Sequence, residues 1–469
     1  MKFSDRNILW TLVVIQAVFG ILTINGFPIS LDEPYSIYHS QQRLPALLGE
    51  VSSGNNAPLH FLLLHFWIKL FGISAFAVRS LSLIVAMLTT GILYRFSRKF
   101  LGQQFAILMV GLFIFSRLNH FVAIEARMYG LFTMFFVLIL FELYRFLFEG
   151  KTNWLGLALW NVGLLYSHYL GGVIVFMEFA LILFFWQKMT PYKWKTVLYT
   201  FLVGLVLVLP GLYMLFDRAI SFSKDGSWVS DAQWLDLWTN LVKLFNNQLT
   251  FIGTLLLAIS ALIIIKIRKI ELNQGIVRFW GVWSVGSYIV LFIISILFSS
   301  VFFIKYLQFL TIPFYALIVY LFYAAFKELG GFLKYAPVLP MVLFIASVKF
   351  IPDVNRETDK LVQYVLESKG NGVSVYYCPP HYDYTLAYHI DQDLFRKSLS
   401  IRADLALRNF ISVYNADDIK TDDQSLIYID FDADLLYPNN GVLEKLDLEM
   451  NFESVQSFMG DFNVYFYGK

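Results

Sequence analysis

"APLHFLLLHFWIKLFG", residues 57–72, is the stretch whose reading sets the orientation of everything that follows it. As a membrane span it would invert every later connection and put the basic clusters outside. It is short for that purpose, because crossing roughly 30 Å of hydrocarbon takes about 20 apolar residues. It also opens with Pro58 and carries His60, His65 and Lys69 among its apolar side chains. We read it as a helix lying in the outer membrane interface, anchored by Trp67, in the manner of amphipathic interfacial segments. The alternative is a short second span.

With that segment set aside, apolar runs of spanning length recur near 8–25, 76–94, 104–122, 128–147, 154–168, 170–187, 196–216, 248–265, 279–298, 308–326 and 335–351. The first is expected to be an uncleaved helix, since no small-residue cleavage site follows it. With the N-terminus inside, Arg95, Arg98 and Lys99, then Arg145 and Lys151, then Lys188, Lys193 and Lys195, then Lys266, Arg268, Lys269 and Arg278, and finally Lys327 and Lys334 all fall on the cytoplasmic side. That is the positive-inside bias. The sequence therefore predicts a polytopic α-helical membrane protein of about eleven transmembrane helices, a multi-pass protein of the cytoplasmic (inner) membrane. Residues 1–351 form its transmembrane domain, with a first external loop at 26–75.

Composition agrees. The chain has 469 residues, 58% hydrophobic and 15% charged, against roughly 45–50% and about 25% in soluble domains. A net charge of +2 implies no nucleic acid. Cys378 is the lone cysteine, so an intrachain disulfide and a cysteine metal cluster are excluded.

From 352 to 469 the composition turns soluble. "PDVNRETDKLVQYVLESKGNG" reads as a helix closed by a turn, "VSVYY" and "SLIYIDF" as strands, "PPHYDYTLAYHI" as a helix opened by prolines, and "FESVQSFMGDFNVYFYGK" as a hairpin turning near Gly460 and Asp461. An odd number of spans leaves this small α/β domain outside, extracytoplasmic or periplasmic. It has no phosphate-binding glycine loop and is given no chemistry.

In this topology polar residues gather on the outer side. Asp32 and Glu33 lie in the first external loop in "LDEPYSIYHS", and "NNAPLH" opens the interfacial helix with His60. "EARMYG" at 125–130 holds Arg127 and Tyr129, "YSHYLGG" at 166–172 holds His168 and Tyr169, and "FFIKYLQF" holds Lys305 and Tyr306. Each has a bland reading: a solvated turn for the acid pair, a snorkelling anchor for Arg127, a helical-hairpin cap for His168. Lys305 opposes the positive-inside bias and so asks for an anionic partner. Glu178 and Glu142, within spans, serve equally well as helix-packing glue. Combined, the external groups suit one chemistry. A carboxylate can take a proton from an acceptor hydroxyl while Arg and Lys neutralise a phosphate leaving from a lipid carrier, and Tyr35, Tyr38, Tyr129 and Tyr169 suit sugar stacking or interfacial anchoring.

At these residues the chain resembles the GT-C glycosyltransferases, specifically glycosyltransferase family 39, related to protein O-mannosyltransferases and the lipid A aminoarabinose transferase. "LDEPYSIYHS", "NNAPLHFLLLHFWIKLFGISAFAVRSLSLI", "EARMYGLF", "YSHYLGGV" and "IKYLQFLTIPF" carry the likeness as an ordered set over roughly the first 330 residues. The resemblance implies an inverting enzyme that moves a sugar from a polyprenyl-phosphate carrier to a protein, lipid or glycan acceptor at the outer face of the membrane. It implies Asp32 as the base, Glu33 as a group that holds the acceptor or orients the loop, and Arg127 and Lys305 as contacts to the carrier phosphate. His60, Tyr129, His168, Tyr169 and Tyr306 would line the same pocket. Asn56-Ala57-Pro58 stands where the family has His-Pro-Pro, and Lys305 where arginine is common; lysine keeps the charge without the bidentate fork. No cofactor is required by the residues, no metal ligands are assigned, and a divalent metal stays open because some relatives in the wider superfamily use one. The competing classes are a transporter or flippase of polyprenyl-linked lipid and an inactive scaffold relative. A transporter would concentrate polar groups at the bilayer midplane on broken helices, whereas here they cluster outside.

Overall fold

The computed structural model describes residues 4–30, 32–53, 56–151, 153–214, 231–298, 300–327, 329–350, 356–370 and 372–469. Among these, seven helices are long and apolar enough to cross a membrane: Asp5–Thr23, Ala75–Ile114, Tyr129–Glu149, Pro191–Met214, Gln248–Ile267, Gln274–Leu297 and Ile304–Phe326. The chain is a polytopic α-helical membrane protein with a small sheet-containing domain at its C-terminal end.

The expected spans 76–94 and 104–122 are one helix, Ala75–Ile114, which bends at Gly102 (φ 79°, ψ 176°). Arg95, Arg98 and Lys99 thus sit on a helix and not in a loop. The second of these expected spans stops eight residues early, and a separate short helix, Arg117–Ala123, follows, capped by the Ser116 side chain. Three other expected spans are short, Trp154–Ser167, Gly171–Phe184 and Val338–Ser347. At 1.5 Å per residue, a helix of 14 residues rises about 21 Å. Pro58–Phe71 has that same length, so length does not set it apart from them. Its Leu63, Phe66, Leu70 and Phe71 are exposed, an apolar face of the kind an interfacial helix offers. Residues 215 and 216 of the expected span 196–216 lie outside the described residues.

Contacts divide the chain into two compact units. The first comprises Met1–Thr23, Leu48–Leu63 and Arg79–Lys349. Its interior is aromatic: Phe136 packs edge-on against Trp283 and Phe309, with ring centroids 5.3 and 4.8 Å away. Apolar surface gains little from leaving lipid, so close fit and internal hydrogen bonds carry the cohesion of such helices. Both are visible. A Cβ on Gly171 would come within 3.1 Å of the Leu164 carbonyl and the Leu165 Cα, so glycine permits the tight hairpin between Trp154–Ser167 and Gly171–Phe184. Asn119, Gln308 and Thr133 form a buried chain: Gln308 donates through Nε2 to Asn119 Oδ1 at 2.8 Å and accepts at Oε1 from Thr133 Oγ1 at 2.6 Å. Glu178 accepts from Asn161 Nδ2 at 3.4 Å, joining the helices Trp154–Ser167 and Gly171–Phe184, whereas Glu142 accepts from Arg145 at 3.1 Å within its own helix.

The second unit comprises Ile24–Leu47, Leu64–Val78 and Phe350–Lys469. Its sheet has the order β2-β1-β3-β5-β4, with β1 Ser374–Cys378, β2 Phe410–Ser412, β3 Ser425–Phe431, β4 Asn451–Phe458 and β5 Phe462–Gly468. β1 runs parallel to β2 and β3, and β5 antiparallel to β3 and β4. The strands expected at "VSVYY" and "SLIYIDF" are the central β1 and β3, nearly continuous apolar runs as strands covered on both faces require. The hairpin β4–β5 turns through Gly460 and Asp461, both at positive φ (94° and 59°), where glycine and aspartate fit most readily. The unit also takes in two segments from the membrane part of the sequence. Tyr38 Oη donates to the Ser398 carbonyl (3.1 Å), Gln41 Nε2 to the Phe395 carbonyl (2.8 Å), Tyr388 Oη to the Ile73 carbonyl (2.9 Å) and His389 Nε2 to the Ile29 carbonyl (2.7 Å).

Candidate active site

In the first unit the site residues gather around the connection between the helices Arg117–Ala123 and Tyr129–Tyr144. That connection is a tight turn in which the Arg127 N–H donates to the Glu125 carbonyl at 2.8 Å. It therefore sends two charged side chains of opposite sign from nearly one place. Glu125 is 2% exposed and accepts from the Lys305 ammonium at 2.9 Å. This is the anionic partner that the position of Lys305 called for. A half-buried ammonium gains from such a partner, which replaces part of its lost hydration. Lys305 also lies 5.0 Å from the Phe121 ring centroid and 6.0 Å from that of Tyr129, within cation–π range.

Arg127, also buried, donates through Nη2 to Asn56 Oδ1 at 3.2 Å. Asn56 in turn accepts the Tyr169 hydroxyl at its carbonyl, 3.3 Å away. One residue of the "NNAPLH" segment thus braces both Arg127 and Tyr169. Four residues on, His60 Nε2 donates to the Ala126 carbonyl at 3.1 Å. Burial, aided by the nearby Arg127, holds this imidazole down to about 3, with the Ala126 hydrogen bond working in the opposite sense. His60 is therefore a neutral brace for the turn, not a proton carrier near pH 7.

His168 closes the group. Its Nδ1 accepts the Leu170 N–H at 3.1 Å, and its ring lies 5.7 Å from Tyr129 and 5.1 Å from Tyr306, which are themselves 6.3 Å apart. The structure thus assembles His60, Arg127, Tyr129, His168, Tyr169, Lys305 and Tyr306: two cations, an aromatic trio and neutral braces. Such a set can hold an anionic group and stack on a flat, partly apolar one. An apolar cavity of about 40 Å³ lined by Phe96, Phe100, Tyr144 and Trp280 lies elsewhere in the unit and holds none of these residues.

Asp32 and Glu33 belong to the second unit. They open the helix Asp32–Gln41, where the unsatisfied N–H groups and the macrodipole favour negative charge. Asp32 is exposed and Glu33 buried. The aromatic residues after them are drawn onto the C-terminal domain. His39 Nε2 meets the Tyr384 hydroxyl at 3.2 Å, and the Tyr35 ring lies 4.3 Å from His39 and 5.5 Å, edge-on, from Tyr384. The Asp32 charge acts on His381 and Tyr382 of that domain. Desolvation by the surrounding chain lowers His381 to about 4, with Asp32 opposing the shift and Arg356 aiding it, although the residue keeps an exposed surface. Burial likewise pushes the Tyr382 phenol up to about 12. Tyr382 accepts from Arg356 Nη1 at 2.6 Å and stacks on Phe431 at 4.1 Å.

Sequence reasoning missed Glu125, Asn56, His381 and Tyr382 as neighbours of the expected groups. Lys305 signalled an acid somewhere without saying which. His381 and Tyr382 lie about 350 residues from Asp32 and carried no signal. Among the described residues no three His, Cys, Asp or Glu side chains come together as a metal ion would need.

Residues 55–214 match the family described as dolichyl-phosphate-mannose-protein mannosyltransferase, a segment that contains every first-unit site residue named above except Lys305 and Tyr306. No curated protein matches the chain by sequence. Two crystal structures of ArnT from Cupriavidus metallidurans share its fold. The one bound to undecaprenyl phosphate has a TM-score of 0.58 at 11% identity, and the apo form 0.59 at 12%; each alignment covers 97% of this chain and 97% of that chain. The chain thus shares this fold over nearly its whole length and carries the mannosyltransferase sequence pattern over the segment that supplies most of the first-unit group.

Proposed function

We propose that this protein transfers a sugar from a polyprenyl-phosphate carrier to an acceptor hydroxyl at the outer face of the cytoplasmic membrane, with inversion at the anomeric carbon. The observation that carries the reading is the Lys305–Glu125–Arg127 group, in which Glu125 and Arg127 are buried, with its aromatic trio, set in a fold shared with a solved structure that holds undecaprenyl phosphate. Arg127 and Lys305 neutralise the carrier phosphate as it leaves, so that the electron pair of the C1–O bond stays on a charge-matched oxygen. Tyr129, His168 and Tyr306 offer ring faces to the sugar. Asp32 accepts the proton of the acceptor hydroxyl as its oxygen bonds to C1. Glu33, buried at the start of the same helix, holds that loop. The C-terminal domain, through His381 and Tyr382, shapes the surroundings of Asp32 and faces the acceptor.

The test supplies purified protein with radiolabelled polyprenyl-phosphate sugars and a cell-envelope extract, and compares wild type with Asp32→Asn. Loss of a general base typically costs about 10² to 10⁴ in rate, so transfer should fall at least about a hundredfold while donor binding persists. Unchanged transfer by the variant would remove Asp32 from the base role.

A further inference from the structure

We infer that Glu125 sets the charge of the donor site so that it holds the sugar-bearing carrier well and the spent carrier less well, which promotes product release. The inference rests on the polyprenyl-phosphate reading above. Glu125 is an odd neighbour for a phosphate: a buried carboxylate 2.9 Å from one of the two cations expected to receive it. If the site served only to bind anions tightly, a neutral amide in its place would hold Lys305 by the same hydrogen bond and leave the site one unit more positive.

The reaction gives that unit a use. A carrier joined to a sugar through phosphate is a phosphodiester with one negative charge. When the C1–O bond breaks, the acceptor oxygen takes C1 and its proton goes to the base. The carrier then leaves as a phosphate monoester, whose second ionisation near pH 6 gives it a charge of roughly −1.5 to −2 at pH 7. Each unit of positive charge in the site therefore favours product over donor. Glu125 removes one such unit beside Lys305, where burial leaves little water to screen it. Lys305 is at the same time kept hydrogen-bonded and desolvated in place, ready for the phosphate, instead of searching for a partner.

The test uses full-length protein and two soluble probes, geranyl phosphate and its methyl diester, with affinities measured by calorimetry at pH 7.5 for wild type, Glu125→Gln and Glu125→Asp. The expected result is that Glu125→Gln shifts the monoester-to-diester affinity ratio toward the monoester by at least about fivefold. That is the effect of a unit-charge pair about 4 Å apart even at the dielectric constant of water. The charge-conserving Glu125→Asp should keep the wild-type ratio, and transfer assays on Glu125→Gln should show a lower KM together with a lower kcat. If Glu125→Gln instead weakens both probes by the same factor, Glu125 merely props Lys305 and the inference is overturned while the carrier reading stands. Wild type that binds neither probe would overturn both.

Discussion

The two regions expected to share one reaction are built in opposite ways. The cation-bearing group of the first unit is buried and rigidly braced: Glu125 and Arg127 leave one turn, Asn56 and His60 hold that turn from another segment, and Lys305 is pinned by an ion pair. The acid-bearing helix of the second unit starts with an exposed Asp32 and rests on the C-terminal domain through aromatic contacts and hydrogen bonds to backbone carbonyls. Under the proposed reading, the cations expected to meet a phosphate are held in a preorganised setting, whereas the carboxylate expected to act on the acceptor is exposed. The difference suggests that donor binding and acceptor activation are separable, and substitutions can test that.

The largest expected effect is the Asp32→Asn loss of transfer, at least about a hundredfold with donor affinity retained; parallel loss of both would break the separation. Next, Asp383 is buried and accepts from the Tyr377 hydroxyl at 2.7 Å and from Arg402 Nε at 2.8 Å. Asp383→Ala should lower the stability of the second unit by about 2 kcal/mol, chiefly by leaving the buried Tyr377 hydroxyl without its acceptor. Denaturant unfolding followed by proteolysis of the C-terminal domain would read this out, and donor binding should hardly change. Lys305→Ala should weaken a polyprenyl phosphate probe about tenfold, the worth of one charge-assisted contact; an unchanged affinity would take Lys305 out of the phosphate site. Asn56→Ala, which removes an acceptor from Arg127 without touching a charge, should cost about threefold to fivefold in the same binding assay.

The smallest effect concerns pH. His381 titrates at about 4 in the folded protein against an ordinary 6.5. The unfolded chain takes up a proton first, so the stabilisation present above pH 6.5 is lost as pH falls toward 4. Thermal melts of His381→Gln should show a shallower decline across that window than wild type, and equal slopes would mean that His381 is not the group responsible.

Much of this was legible beforehand because membrane sequences are strongly constrained. The length of apolar runs pointed to a polytopic helical chain, and the polar residues Arg127, His168 and Lys305, expected together from the order of the connections, come together in the first unit. The short, proline-opened segment 57–72 emerged as a 14-residue helix. The bend at Gly102 was not legible, since a continuous helix through Arg95 and Lys99 and a charged loop there have the same composition. Nor was the choice of Glu125 as the partner of Lys305. Several acids were available, and the choice depends on the turn at 124–128 and the helix start at Ile304 coming side by side, 180 residues apart in the chain.

The sequence alone determined the class of the protein, its helical membrane part and its α/β appendage, because the cost of unpaired backbone and bare charge in hydrocarbon leaves few ways to arrange so apolar a chain. Tertiary structure alone decided who meets whom: Glu125 with Lys305, Asn56 with Arg127, His381 near Asp32. Such pairings depend on distances of a few ångströms between remote segments, and no local propensity or period encodes those distances.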